Sequence, residues 1–547
     1  MLLFLWLACN VIQSVFMEVM SDEAYYAIYG EHLAWGYYDH PPMVALLNFF
    51  SKSLFPGGGN LSVRFATILL HACTIGLIWK TLADKTNVSR VLLFFGISFT
   101  FVMFSVYGFV TTPDGALLFF TTAFLFFYKK FLENESWKNT IFLTLTMVGM
   151  LYSKYHAVLI IGFIVLSNLR LLLKPKFWFG VVLTILLFIP HISWQVMNDY
   201  PSFKYHLLTR SQGFVLANVL KYFPEQFFVF NPVCLIGILY ILVKKKPQDL
   251  FERGLYFLIV GMFVFFQFMA LKGRVEPHWT VAASVPMILL LYKNAVADTK
   301  FGKILWRGVL WTLPFVLIAR IILMTNVLPR YFAFNGKKPE SAAIEKIAGS
   351  RPVVFGGSFQ RASLYHFFTG KNAFVLSSRG SRMTQFDLLG LDKGFQDSTV
   401  FVFMDNPRSQ QYEVNGFEFS GFEIKHLQST NQVRIHFSGV PDEVAAGDTL
   451  RIRYTLTNPY ANDINMDHPE LPVEFCCVFD GPDKITTTVG RSNPDYRILK
   501  AGQTIEGELT TVVPALKPSS YFFGLALKNA ISLPFNSSYV KLKITEK

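Results

Sequence analysis

Apolar residues in this chain arrive in blocks of about twenty, the length a helix needs to cross the hydrocarbon of a bilayer. Candidate spans run over 1–19, 62–82, 91–111, 114–130, 139–153, 155–173, 177–195, 226–243, 254–271, 279–293 and 305–326, about eleven in all. A chain that is 52% hydrophobic with mean hydropathy +0.37 carries more apolar surface than one soluble core can bury. The blocks stop near Asn326, and a mixed tail of roughly 200 residues follows, enough for one or two domains. The first block lacks a basic leading segment and a small-residue cleavage site, so it is expected to be a retained first helix.

Lysine and arginine set the expected orientation, because cytoplasmic loops hold the basic excess of a polytopic protein. Lys80, Lys85 and Arg90; Lys129, Lys130 and Lys138; Arg170, Lys174 and Lys176; Lys244, Lys245, Lys246 and Arg253; and Lys293, Lys300, Lys303 and Arg307 fall in every second turn. This accounts for the formal charge of +13 without a nucleic-acid partner. The other turns, 20–61, 111–114, 153–156, 196–225 and 272–279, emerge together on the non-cytoplasmic face, and an odd number of spans places the tail there too.

Those turns hold Asp22, Glu23, Asp39, His40, Asp114, Lys154, His156, His206, Arg210, Lys272, Arg274, Glu276 and His278. Asp114 in "VTTPDGALLFF" and Lys154 in "GMLYSKYHAVLII" stand in turns almost too short to reach bulk water, and an ionisable group at that depth is expensive unless it is paired or lines a cavity. Carboxylates beside Lys, Arg and His at one face of a bundle suit transfer from a phosphate-bearing lipid. A carboxylate takes a proton from the attacking group, and cations offset charge on the departing phosphate. Tyr25, Tyr26, Tyr29, Trp35, Tyr37 and Tyr38 suit a headgroup interface and could stack on a sugar. The run "PGGGN" follows no strand and reads as a flexible loop rather than a phosphate cradle.

The stretch "SDEAYYAIYGEHLAWGYYDHPP" resembles the first external loop of GT-C glycosyltransferases of the dolichyl-phosphate-mannose protein mannosyltransferase superfamily, in the bacterial branch that includes the lipid A aminoarabinose transferase. "TTPDG", "SKYHA", "NDYPSFKYHLLTR" and "RVEPHW" match later family motifs in order, over roughly residues 1–330. The resemblance implies an inverting transfer of a monosaccharide from a polyprenyl-phosphate donor, on the non-cytoplasmic face, to a lipid, protein or glycan. It makes Asp22 the principal catalytic carboxylate, with Glu23 beside it and Asp114 as a second essential acid. It puts Lys154 on the donor phosphate, and Arg210, Arg274, His278, Tyr26, Asp39, His40 and Glu276 among phosphate or sugar contacts. Spacing across separate loops does not decide whether a divalent cation joins Asp22 and Asp114, and no metal-type Cys pattern is present.

The expected architecture is therefore an α-helical polytopic membrane domain of GT-C type over 1–330, a small α/β region over 331–430 and a β-sandwich over 431–547. "RPVVFGGSF" and "STVFVFMD" read as buried strands and "QRASLYHFFTG" as a short helix stopped by Gly370. From "VRIHFSGV" onward, alternating strands recur at even spacing. The adjacent Cys476 and Cys477 would point to opposite faces of a strand, against a mutual disulfide. Two rivals remain: a polyprenyl-phosphate transporter or flippase, which would favour paired broken helices and charges near the midplane, and a non-catalytic binding protein.

Overall fold

In the computed structural model, which describes residues 1–84, 87–206, 213–325, 335–481 and 483–546, the first unit, Met1–Lys337, is helical because its apolar runs are. Six helices are long and apolar enough to cross a membrane: Leu61–Leu82, Pro113–Glu133, Pro175–Met197, Leu250–Met269, Pro277–Ala297 and Thr299–Met324. Two bent pairs raise the number to eight.

The remaining expected spans are shorter or broken, for local reasons. The 226–243 block is two helices, Leu216–Phe230 and Pro232–Lys244, bent by 109°. Pro232 disfavours helical backbone in the residue before it, and Asn231 takes φ 73°. The 91–111 block divides at Phe101 into Val88–Thr100 and Val102–Val106. The 155–173 block becomes Ala157–Ser167 followed by a 3-10 turn, Leu169–Leu173.

The first block ends early, as the Leu2–Phe16 helix, and the chain turns by 95° into the Ser21–Glu31 helix, the two forming one of the bent pairs. Arg64, three residues into the Leu61–Leu82 helix, holds this elbow and is fully buried. Its Nη1 donates to the carbonyls of Ser14 (3.1 Å) and Met17 (2.7 Å) and its Nη2 to that of Glu18 (2.9 Å). These carbonyls lie where the first helix runs out of intrahelical partners. The remaining donors, Nε and Nη2, reach Glu23 at 2.8 and 2.5 Å. Glu23 in turn accepts from the backbone N–H groups of Met20 (3.0 Å) and Thr111 (2.9 Å). All five guanidinium N–H groups are thus used, and both carboxylate oxygens are doubly bonded.

The second unit, Lys338–Lys547, contains a five-stranded sheet in which Val353–Gly356 lies between parallel neighbours Ala373–Leu376 and Val400–Phe403, followed by antiparallel Phe417–Ile424 and Gln410–Val414. The Phe359–Thr369 helix ends at Gly370 in the left-handed conformation, φ 68°. Farther on, a five-stranded and a four-stranded sheet share one core that includes Ile452, Tyr454, Cys477, Phe479, Phe523 and Leu542. The cysteines are free and Cys476 and Cys477 are both buried. In the short Gln385–Leu389 helix, Asp387 Oδ2 accepts from Thr384 N (2.7 Å), Thr384 Oγ1 (3.1 Å) and Ser377 Oγ (2.7 Å). Burial lifts its carboxyl to about 6 despite these donors.

Replacing Arg64 by Met strands the Glu23 carboxylate in the interior and is expected to destabilise the protein by about 3–5 kcal/mol. The reading is the apparent Tm of purified protein in detergent. Adding Glu23→Gln removes the stranded charge and should recover part of the loss. An unchanged Tm for Arg64→Met would mean that the elbow does not depend on the pair.

Candidate active site

Successive residues of a helix are turned by about 100°, so Asp22 and Glu23 cannot face the same way. Glu23, expected among the catalytic carboxylates, is wholly buried against Arg64, with no oxygen left to offer a substrate. Asp22 is exposed and lies one turn from Tyr26, on the same face. Tyr26 stands among Asp22, Asp39 and Asp114. Tyr26 is itself buried.

Asp39 closes the same loop. It is buried, and its Oδ2 accepts from the hydroxyls of Tyr25 (2.9 Å) and Tyr29 (3.1 Å). Tyr29 stacks on Tyr37 at 4.2 Å between ring centres. His40 Nε2 lies 3.1 Å from the Tyr26 hydroxyl, and His206 Nε2 donates to the Asp39 carbonyl at 3.0 Å.

Asp114 sits in the first turn of the Pro113–Glu133 helix, where an acid complements the helix dipole. Lys154, the residue that ends the Trp137–Ser153 helix, reaches both of its oxygens at 2.8 Å. The pair is almost entirely buried, with side-chain exposures of 7% for Lys154 and 4% for Asp114, so the two charges need each other. Thr111, three residues before Asp114, is the residue whose N–H meets Glu23. One buried ion pair therefore ties Asp22 and Asp114 to a common frame.

Tyr107 extends the cluster: it lies within electrostatic range of Asp114, Asp22 and Glu276, and edge-on to His278 at 6.2 Å. His156 lies within range of Lys154, His206, His40 and His278. Its Nδ1 is buried and has no hydrogen-bond partner among the described residues. Arg274 is exposed and paired with Glu276 at 3.3 Å, on the rim of the cluster. Arg210 lies outside the described residues.

Two functional supports were not anticipated from sequence. His191 and Gln195, fully buried on the Pro175–Met197 helix, fasten the loop that carries Asp39. His191 Nδ1 donates to the Trp35 carbonyl at 2.7 Å, which leaves Nε2 to accept from the Tyr155 hydroxyl at 3.0 Å. Gln195 Nε2 donates to the Tyr155 hydroxyl (3.1 Å) and to Ser202 Oγ (2.8 Å), and Ser202 Oγ donates to the Tyr37 carbonyl at 2.8 Å. Their sequence signal is two polar residues four apart, on one helical face, in the otherwise apolar "LLFIPHISWQVM". Nearby, a Cβ on Gly36 would come within 2.4 Å of the Trp194 ring, so the loop lies directly against this helix.

The donor set does not suit a metal. Asp114 spends both oxygens on Lys154, and among the described residues no three His, Cys, Asp or Glu side chains gather as a metal site.

The family described as dolichyl-phosphate-mannose-protein mannosyltransferase matches residues 39–194. The lipid A galacturonosyltransferase RgtD of Rhizobium johnstonii is 23% identical over 380 residues, 64% of this chain and 77% of that protein. In fold, the chain is similar to ArnT from Cupriavidus metallidurans in the apo state, with a TM-score of 0.54 at 12% identity, over 76% of this chain and 96% of that one. The same protein bound to undecaprenyl phosphate gives 0.55 at 13% over the same shares. The chain is thus similar to these proteins, in sequence over residues 39–194 to the family and in fold to ArnT. Its apolar helices make it an integral membrane protein.

Lys154→Met strands Asp114 and is expected to cost about 3–5 kcal/mol of stability, whereas Lys154→Met with Asp114→Asn should unfold close to the unaltered protein. Thermal unfolding of the three proteins in one detergent checks this. Equal Tm values for the single and double variants would mean that the two charges are not coupled.

Proposed function

We propose that this enzyme moves one monosaccharide, with inversion, from a polyprenyl-phosphate donor to a lipid acceptor of the lipid A type, on the non-cytoplasmic face of the membrane. The observation that carries this reading is an exposed carboxylate, Asp22, set beside the buried Asp114–Lys154 pair around Tyr26. The acceptor oxygen bonds to the anomeric carbon as the bond from that carbon to the phosphate oxygen breaks. Asp22 takes the acceptor proton, and the electron pair leaves on the phosphate, whose charge Lys154 offsets. Asp114 orients Lys154, while Asp39, His40, Glu276 and His278 offer hydrogen bonds to sugar hydroxyls. Arg210 and Arg274 are assigned to the approach of the phosphate.

The name of the curated relative, a lipid A galacturonosyltransferase, and the undecaprenyl phosphate in the neighbouring structure support a lipid on each side of the reaction. The tail is read as an α/β region over 331–430 and a β-sandwich over 431–547.

Asp22→Asn keeps the size and much of the hydrogen bonding of the side chain but removes the basic carboxylate. Turnover with a polyprenyl-phosphate sugar in nanodiscs should fall about 100-fold or more, with donor affinity and Tm unchanged. Near-normal turnover would move the base to another carboxylate. For orientation, a reporter active only outside the cytoplasm should work when fused after the last residue. Activity only from a fusion in the 244–253 turn would invert the assignment.

A further inference from the structure

At the far end of four helices from any residue of the active-site cluster, a cavity of ≈ 590 Å³ opens beside a triple-lysine run. It is bounded by the end of Pro232–Lys244, the start of Leu250–Met269, the end of Ser284–Ala297 and the start of Thr299–Met324. Its charged lining is Lys244, Lys245, Lys246 and Lys293 against Glu252 and Asp298. Two of the lysines are already neutralised: Lys245 pairs with Asp298 at 3.2 Å and Lys293 with Glu252. Asp298 is fixed further as the cap of its helix, accepting from the N–H groups of Lys300 and Phe301. Lys244 and Lys246 are exposed and have neither an ion pair nor a hydrogen bond among the described residues. The cavity is therefore built by two ion pairs and left with a surplus of two ammonium groups.

The surface that continues from it is apolar. Ile236, Leu239, Tyr240 and Val243 are exposed along the Pro232–Lys244 helix and Ile304 along Thr299–Met324. Tyr240 stacks on Phe301 across these two helices, 5.5 Å between ring centres. A mobile phosphate ion would use the ammonium groups and leave the apolar strip bare. A phospholipid uses both, with its phosphate at the lysines and its chains along the strip. Basic pockets between transmembrane helices at a membrane surface favour anionic headgroups for this reason. We propose that this cavity binds the phosphate headgroup of an anionic phospholipid from the leaflet at that end of the bundle, through Lys244 and Lys246.

The test is native mass spectrometry of the full chain in detergent, titrated separately with phosphatidylglycerol, phosphatidylcholine and inorganic phosphate. Phosphatidylglycerol should bind more tightly than phosphatidylcholine. Lys244→Gln with Lys246→Gln should weaken it by roughly 30-fold, the attraction of two surface ammonium groups, and leave phosphatidylcholine unaffected. Lys244→Arg with Lys246→Arg should retain binding, and Lys300→Gln with Lys303→Gln, outside the cavity, should leave the affinity near that of the unaltered chain. Equal phosphatidylglycerol affinity in the glutamine variant, or its loss in the arginine variant, would overturn the proposal. Lysine-dependent binding of inorganic phosphate with no preference for phosphatidylglycerol would do the same, assigning the cavity to a soluble anion.

Discussion

The Arg64–Glu23 pair is the constraint on which the membrane unit turns. A charge in a membrane interior is tolerated only when its partner and all its hydrogen bonds are present, and here five donors meet five acceptors. Those acceptors come from the end of the first helix, the linker after it and the start of the second, while the Glu23 carboxylate also takes the N–H of Thr111. Three stretches far apart in sequence, 14–23, Arg64 and Thr111, are thereby fixed at one point. Asp22 precedes Glu23 by one residue and Asp114 follows Thr111 by three, so the spacing between the two carboxylates is inherited from the buried Arg64–Glu23 pair.

Around that frame the polar groups divide by how they are held. Asp114 is neutralised in advance by Lys154, Asp39 is held by two tyrosine hydroxyls, and Asp22 alone of the three is exposed. The loop that carries Asp39 is secured from behind by His191, Tyr155 and Gln195. A loop fastened to a long helix can be rich in aromatic rings and still hold its carboxylate in one place.

Much of this was legible in the sequence, since long apolar runs specify helices and alternate turns between them collect the charges. Asp114 and Lys154 were visible as ionisable groups in turns almost too short to reach water, and Asp22 through the likeness of its loop to a family motif. The sequence set Glu23 beside Asp22 without naming its partner; a 100° step sends one outward and the other to Arg64. Arg64 gave a signal, a lone arginine within an apolar span, but its partners lie 41 to 50 residues earlier. The broken spans were hidden for a related reason: hydropathy sums over a window and does not register that Pro232 ends a helix before it begins another.

Asp387 gives the second unit an unusual relation to acidity. Its carboxyl lies at about 6 when folded against an ordinary value of 3.8, so between these values the folded unit retains a proton that the unfolded chain releases. Stability from this group therefore rises as pH falls from 6 toward 4, and declines as pH rises through 6. Carboxylates held in ion pairs behave in the opposite sense, which is why most folds loosen in acid. A domain with this residue in its interior carries its own proton reserve against mild acidification of the compartment it faces.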